Sequence, residues 1–176
     1  VIVEISQLQV EHLELLKNLW QFYEVESSVR EQLDVDVSGR FPVPEEVFAS
    51  VVQGTEGNSG YAILCDEACA GFLILSSAEI EGKAITEFAD LFVLPKYRGR
   101  GVGSAVVEKV ILRSSQAWLI AVFRDDMKAL SFWHSAFSRL PFTSCREVVP
   151  PELPQFHEFI VNESDPSLQR SAFGDR

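Results

Sequence analysis

The stretch Ala84–Arg113, AITEFADLFVLPKYRGRGVGSAVVEKVILR, restricts the possible folds more than any other part of the chain. Eleven mostly apolar residues read as a strand and a glycine-rich turn follows. Val102, Val106 and Val110 then recur at helical spacing, with Ala105 beside them. Gly99, Gly101 and Gly103 interleave with Lys96, Arg98 and Arg100 around the turn. The first N–H groups of a helix have no internal acceptor and lie at the positive end of its dipole. Glycines let an anion approach that backbone closely, and arginines add forked donors that suit phosphate oxygens. The stretch predicts a phosphate cradle.

Spacing tests which cradle it is. A P-loop requires GxxxxGK[ST], and neither Lys-Ser nor Lys-Thr follows these glycines. A dinucleotide loop requires GxGxxG or GxGxxA. Counting from Gly99 puts Ser104 at the third position, and counting from Gly101 puts Val106 there. The strand–turn–helix–strand order, with Asp125 at the end of the next apolar strand, still leaves a nucleotide-cofactor oxidoreductase as an alternative. A glycine turn that merely starts a helix is the plainer reading, although three glycines interleaved with two arginines exceed what a turn requires.

Arg98-Gly99-Arg100-Gly101-Val102-Gly103 fits [Q/R]-x-x-G-x-[G/A], and Val93 to Arg98 matches the usual run into that motif. Asp126, Ala129, Phe132 and Trp133 fall at the spacing of N-x-x-A-x-x-[LF]-Y. Together these residues resemble the GNAT superfamily of N-acetyltransferases, over about residues 60–140 and by element order at the two ends. The resemblance implies an α/β fold: a mixed, mostly antiparallel sheet of six or seven strands, splayed between strands 4 and 5, with about four flanking helices. It implies acetyl-CoA as co-substrate and direct acetyl transfer to an amine of a small molecule or peptide. It places the pyrophosphate on the backbone of Gly99, Arg100, Gly101, Val102, Gly103 and Ser104, with Arg98 and Arg100 in reach of phosphate. The pantetheine arm would pair like an extra strand with Leu91, Phe92 and Val93, and Asp126 and Phe132 belong to the second cofactor motif.

Amine attack on a thioester needs a proton acceptor, an oxyanion donor and a route to protonate the thiolate. Glu87 aligns with the general base of histone-type members, and Asp90 sits just before the cofactor-pairing residues. Three apart on a strand, they face opposite ways unless a bulge intervenes. Trp133 stands where many members use tyrosine as an acid, and an indole N–H does not give up its proton. A thiol of pKa near ~8.5 leaves readily enough for water to suffice. His134 is turned about 100° away from Trp133 on a helix. Ala121 removes the fifth-strand acid of other members, and a non-catalytic acyl-CoA-binding module is therefore a second alternative.

Length and charge bound the rest. The 176 residues suit a single domain, here residues 1–162, with 163–176 as a loose tail. A net charge of −11 argues against nucleic acid as a partner. No apolar run approaches a membrane span, and no secretory pattern opens the chain, so a cytoplasmic protein is expected. Cys65, Cys69 and Cys145 are read as small hydrophobes; Cys65-x3-Cys69 lacks further ligands, so no metal is expected. A homodimer is possible.

The other elements follow from pattern. A strand is expected over Val1–Ser6 and a helix from Gln9 to about Glu26 carrying Leu13, Leu16, Leu19, Trp20 and Tyr23. Glu24–Arg40 reads as a polar, acidic segment ending in a loop at Ser38-Gly39, and its acidic part Glu24–Asp36 as suited to attract a cationic amine, or simply a solvated flank. A short helix Pro44–Gln53 and a hairpin turning at Asp66-Glu67-Ala68 precede the long strand. Ala117–Phe123 reads as a buried strand parallel to it, followed by a helix capped by Asp125 or Asp126 and reaching about Ser138. Arg139–Pro154, with its four prolines, reads as irregular at its end and Phe156–Val161 as the last strand.

Overall fold

A computed structural model describes residues 1–164. Its elements in chain order are β1 (Val3–Gln7), α1 (Leu13–Glu31), α2 (Glu45–Gln53), β2 (Ser59–Cys65), β3 (Ala68–Ile80), β4 (Lys83–Val93), α3 (Val102–Val107), β5 (Trp118–Phe123), α4 (Met127–Arg139), β6 (Cys145–Glu147) and β7 (Phe156–Val161). The seven strands form one sheet in the order β1-β2-β3-β4-β5-β7-β6. Pairing is antiparallel at β1–β2, β2–β3, β5–β7 and β6–β7, and parallel at β4–β5. The mixed, mostly antiparallel sheet and its four helices are those the sequence predicted. No helix of the described residues is long and apolar enough to cross a membrane. The expected tail lies outside the described residues apart from Glu163 and Ser164.

The chain forms two compact units. The first comprises Val1–Ser77 with Phe88–Val107, the second Ala78–Glu87 with the described residues from Glu108 to Ser164. In the first, α1 and α2 bury Leu16, Leu19, Phe48 and Val51 against Phe72, Ile74 and Phe92 of β3 and β4. Trp20 and Tyr23 continue this face as an aromatic cluster: Trp20 meets Phe48 edge-on at 5.1 Å, and Tyr23 meets Phe92 edge-on at 5.9 Å. Such rings bury large areas and add attraction beyond area alone. The β2–β3 hairpin turns on Asp66 and Glu67, both with positive φ (49° and 66°), the two-residue geometry that matches strand twist. Asp66 Oδ1 also accepts the Ile2 N–H at 2.8 Å, tying in the start of the chain.

In the second unit, Ile80, Leu119, Val148 and Ile160 form one buried group. Trp133, Phe137 and Phe159 form an aromatic run, with ring centroids 5.7 Å and 5.0 Å apart. Buried Asn162 accepts from Thr143 N at 3.0 Å through its Oδ1. The β4–β5 register holds at Thr86↔Trp118 and Glu87↔Leu119.

Three expectations are corrected. α1 runs to Glu31 rather than Glu26, because helical spacing carries on through buried Glu24 and Ser27. It stops at Gln32, in left-handed conformation with φ 52°, where Leu33 N–H donates back to Ser28 O. The central helix widens after Val107 into a π-turn over Glu108–Leu112. The extra residue shifts the buried position from the expected Val110 to Ile111. Finally, Arg139–Pro154 holds a strand that was not expected there: Cys145–Glu147 pairs with β7 as β6. Three residues with alternating exposure carry too little pattern to be seen in the sequence.

Candidate functional site

The loop after β4 begins with a tight turn over Pro95–Tyr97 that buries the Tyr97 ring. Gly99 and Gly101 then adopt φ of 71° and 79°, with Arg100 between them. Only glycine takes these angles without strain, and left-handed residues of this kind turn successive N–H groups toward a common point, the usual anion-binding concavity. A β-carbon built on either glycine would meet nothing within 4 Å, so the space over the loop is open. The helical ladder is running by Ala105, whose N–H donates to Gly101 O at 2.9 Å. The amides of Val102, Gly103 and Ser104 precede it, on the first turn, where a helix offers no internal acceptor.

The two loop arginines differ. Arg100 is exposed. Arg98 is lashed down: its Nε donates to Val93 O at 2.6 Å, and Nη1 and Nη2 donate to the two carboxylate oxygens of Glu26 at 3.0 and 2.6 Å. Its guanidinium also lies 5.6 Å from the Phe92 ring centre. Arg98 thus fixes the loop to the end of β4 and to α1, using the forked geometry that pairs best with carboxylate.

On β4, Phe92 is buried while Leu91 and Val93 are half-buried. Gly71 of β3 sits so close that a β-carbon there would be 1.9 Å from Phe92 O. That carbonyl and its neighbours are held by close backbone approach, which only a glycine at position 71 permits.

Asp90 is half-buried and accepts a hydrogen bond from Tyr23 Oη at 2.9 Å. Burial pushes its carboxyl above the ordinary range, Tyr23 opposes this, and Glu31 adds to it. The same surroundings drive the Tyr23 hydroxyl far above its usual value, mainly through burial and then through Asp90. Beside them on α1, Glu24 is 6% exposed; its Oε2 and the indole N–H of Trp20, one turn back, are both left without a hydrogen bond of full geometry, and Trp20 still favours the ionised carboxyl. Burial, then Glu31 and Asp90, raise the Glu24 carboxyl to about 7, against Arg30 and Trp20. The sequence pattern places Tyr23 on the core face and Glu24 where the acidic segment starts. The missed signal is the i, i+3, i+4 series through 20, 23, 24, 27 and 31, which turns from apolar to ionisable without leaving the helix face.

The remaining predicted residues belong to the second unit. Glu87 is half-buried at the β4–β5 register. Asp126 caps α4, its Oδ1 accepting from Ala129 N at 2.9 Å. Phe132 is half-buried and meets Trp133 edge-on at 5.2 Å. Trp133 is buried and stacked on Phe137. His134 is exposed, as its position one residue on from Trp133 suggests.

A model of the acetyltransferase (GNAT) family matches residues 15–137. Comparison with curated proteins gives no match. Among solved structures, Arabidopsis thaliana Naa50 with the bisubstrate analogue CoA-Ac-MVNAL is similar at 20% identity and TM-score 0.56, over 93% of this chain and 100% of that one. The Thermoplasma acidophilum PaiA N-acetyltransferase with coenzyme A is similar at 18% identity and TM-score 0.56, over 91% and 98%. A Staphylococcus aureus Mu50 acetyltransferase of the GNAT family reaches TM-score 0.62 at 13% identity, over 92% and 100%. Sheet order, glycine loop and family match together define the class, an α/β acyltransferase. The chain belongs to the acetyltransferase (GNAT) family.

Proposed function

We propose that residues 1–162 act as one acetyl-CoA-dependent N-acetyltransferase domain, passing acetyl directly from the thioester to an amine of a small molecule or peptide. The observation that carries the reading is the Gly99–Ser104 loop. Two left-handed glycines with open space where their β-carbons would lie, followed by the first turn of a helix, suit a diphosphate. The Naa50 and PaiA structures, obtained with a CoA bisubstrate analogue and with coenzyme A, support acetyl-CoA as the donor.

In this reading Arg100 meets phosphate oxygens, while Arg98 positions the loop through Glu26 and Val93 O. The backbone of Leu91, Phe92 and Val93 offers the pantetheine amides strand-like partners, which tolerate side-chain variation. The incoming ammonium loses its proton to Asp90 or Glu87. Asp90 suits the task because burial raises its carboxyl toward the working range. The amine lone pair then attacks the thioester carbonyl; the C–N bond forms as the C–S bond breaks. The thiolate takes up the proton that the new amide nitrogen sheds. Trp133 moves no proton and serves as packing for α4. Its burial is also what favours the rival reading, a binding module without turnover.

Thiol release on mixing the protein with acetyl-CoA and a panel of amines tests the proposal. Release supports the enzyme; tight acetyl-CoA binding without release supports the binding module. Binding of NADH but not acetyl-CoA would favour the oxidoreductase.

A further inference from the structure

α1 carries a polar continuation of its core face that the loop chemistry does not use. Glu24 and Glu31 are seven residues apart, two helical turns, and so share a face with buried Ser27 between them. The Tyr23–Asp90 hydrogen bond brings a third carboxylate from β4 to the same place. Arg30 is the resident cation, with Nη2 3.3 Å from Glu31 Oε1 and 3.4 Å from Ser27 Oγ. Its charge is nonetheless outnumbered by Glu24, Glu31 and Asp90. Glu24 Oε2 is left without a hydrogen bond of full geometry although the residue is 6% exposed. An unsatisfied buried carboxylate oxygen costs stability and calls for an explanation, and a bound cation that completes it is one.

We infer that Glu24, with Asp90 and Glu31, holds the ammonium group of a primary alkylamine acceptor, the chemistry shared by aliphatic diamines and lysine side chains. The inference rests on the acetyltransferase reading and names the acceptor class for it. An ammonium presents three donors and no acceptor, which suits an unpaired carboxylate oxygen beside a second carboxylate. An acceptor with a carboxylate next to its amine would be repelled by the same cluster. The raised carboxyl of Glu24 fits this use, since the arriving cation would replace its proton. Glu24 is a specificity-determining residue here, and Asp90 or Glu87 remains the proton acceptor.

The test compares wild type with Glu24→Gln and Glu31→Gln on three acceptors: 1,4-diaminobutane, α-blocked lysine, and a peptide whose only amine is its N-terminus. Acetyl-CoA affinity is measured alongside by calorimetry. The first two acceptors separate a free diamine from a lysine side chain, and turnover of either supports the inference. Glu24→Gln is expected to raise KM for them about tenfold or more, with kcat falling less and acetyl-CoA affinity within about twofold. Glu31→Gln, on an exposed residue, is expected to raise KM about two- to fivefold, and answers the case in which Glu24→Gln fails to fold. Wild type should also release protons on binding 1,4-diaminobutane near neutral pH, seen as a buffer-dependent heat. Exclusive use of the N-terminal peptide, unchanged KM in both variants, or acetyl-CoA binding with no alkylamine bound or acetylated would overturn the inference and leave the donor reading standing. Failure to bind acetyl-CoA would overturn the donor reading itself.

Discussion

Tyr23 Oη donates to Asp90 Oδ1 at 2.9 Å, joining the middle of α1 to the strand that leads into the glycine loop. The bond favours the ionised carboxyl against the burial that raises it. Tyr23→Phe is expected to cost about 1.5–3 kcal/mol in urea unfolding, the worth of a bond to a charged acceptor. It should also push Asp90 further up. If Asp90 takes the acceptor's proton, the acid limb of the kcat/KM profile moves to higher pH in this variant; a profile that stays put assigns the proton to another group.

Glu24 makes a separate prediction about stability. Its carboxyl is raised from 4.5 to about 7 in the fold. The native state therefore holds this proton more tightly than the unfolded chain does. The stabilisation is complete below the unfolded value and is lost as pH rises through the folded one. Glu24→Gln cannot ionise, so above that range it should be more stable than wild type, by at most ~3 kcal/mol. Urea melts at about pH 5 and about pH 8 should show the gain only at the higher value. A variant less stable than wild type at both would mean the carboxylate is satisfied in the fold.

The Arg98–Glu26 pair is half-exposed, and its direct worth is small. A double-mutant cycle with Arg98→Ala and Glu26→Gln should give a coupling of about 0.5–1 kcal/mol. Its larger effect is on the loop that it holds: either single variant should weaken acetyl-CoA binding several-fold. Arg100→Ala should weaken binding too, with a loss that shrinks as salt rises.

Gly71 is a structural test of the strand that would carry the pantetheine. A methyl group there would fall 1.9 Å from Phe92 O. Gly71→Ala should therefore destabilise the protein by about 1–3 kcal/mol, the usual cost of overpacking, and impair acetyl-CoA binding. Thermal unfolding together with calorimetry checks both parts.

The parts of this molecule that were legible in its sequence are those where pattern and geometry coincide. Gly99 and Gly101 announced a tight turn that needs left-handed residues, and the apolar runs of β3, β4 and β5 announced the sheet. A turn over Asp66-Glu67-Ala68 and a cap at Asp125 or Asp126 were readable from residue type, and the structure turns on Asp66 and Glu67 and caps with Asp126. The partners were not. Arg98 looks like a phosphate ligand in sequence, yet Glu26, seventy-two residues away, takes its guanidinium. Glu24 looks solvated because charged residues usually are. Its burial depends on the aromatic cluster of Trp20, Phe72 and Phe92 packing α1 down, which no local pattern records. The π-turn at Glu108–Leu112 was hidden for a similar reason, since valine spacing alone suits an undisturbed helix.

Titrating acetyl-CoA calorimetrically into wild type and into Gly101→Asp tests the central claim most directly. Aspartate tolerates the left-handed backbone better than most residues, so the substitution mainly sets a carboxylate in the anion cradle. Saturable one-to-one binding by wild type, with affinity reduced about tenfold or more in a folded Gly101→Asp, is the predicted result. Absence of binding by wild type, or equal affinity in the two proteins, would contradict it.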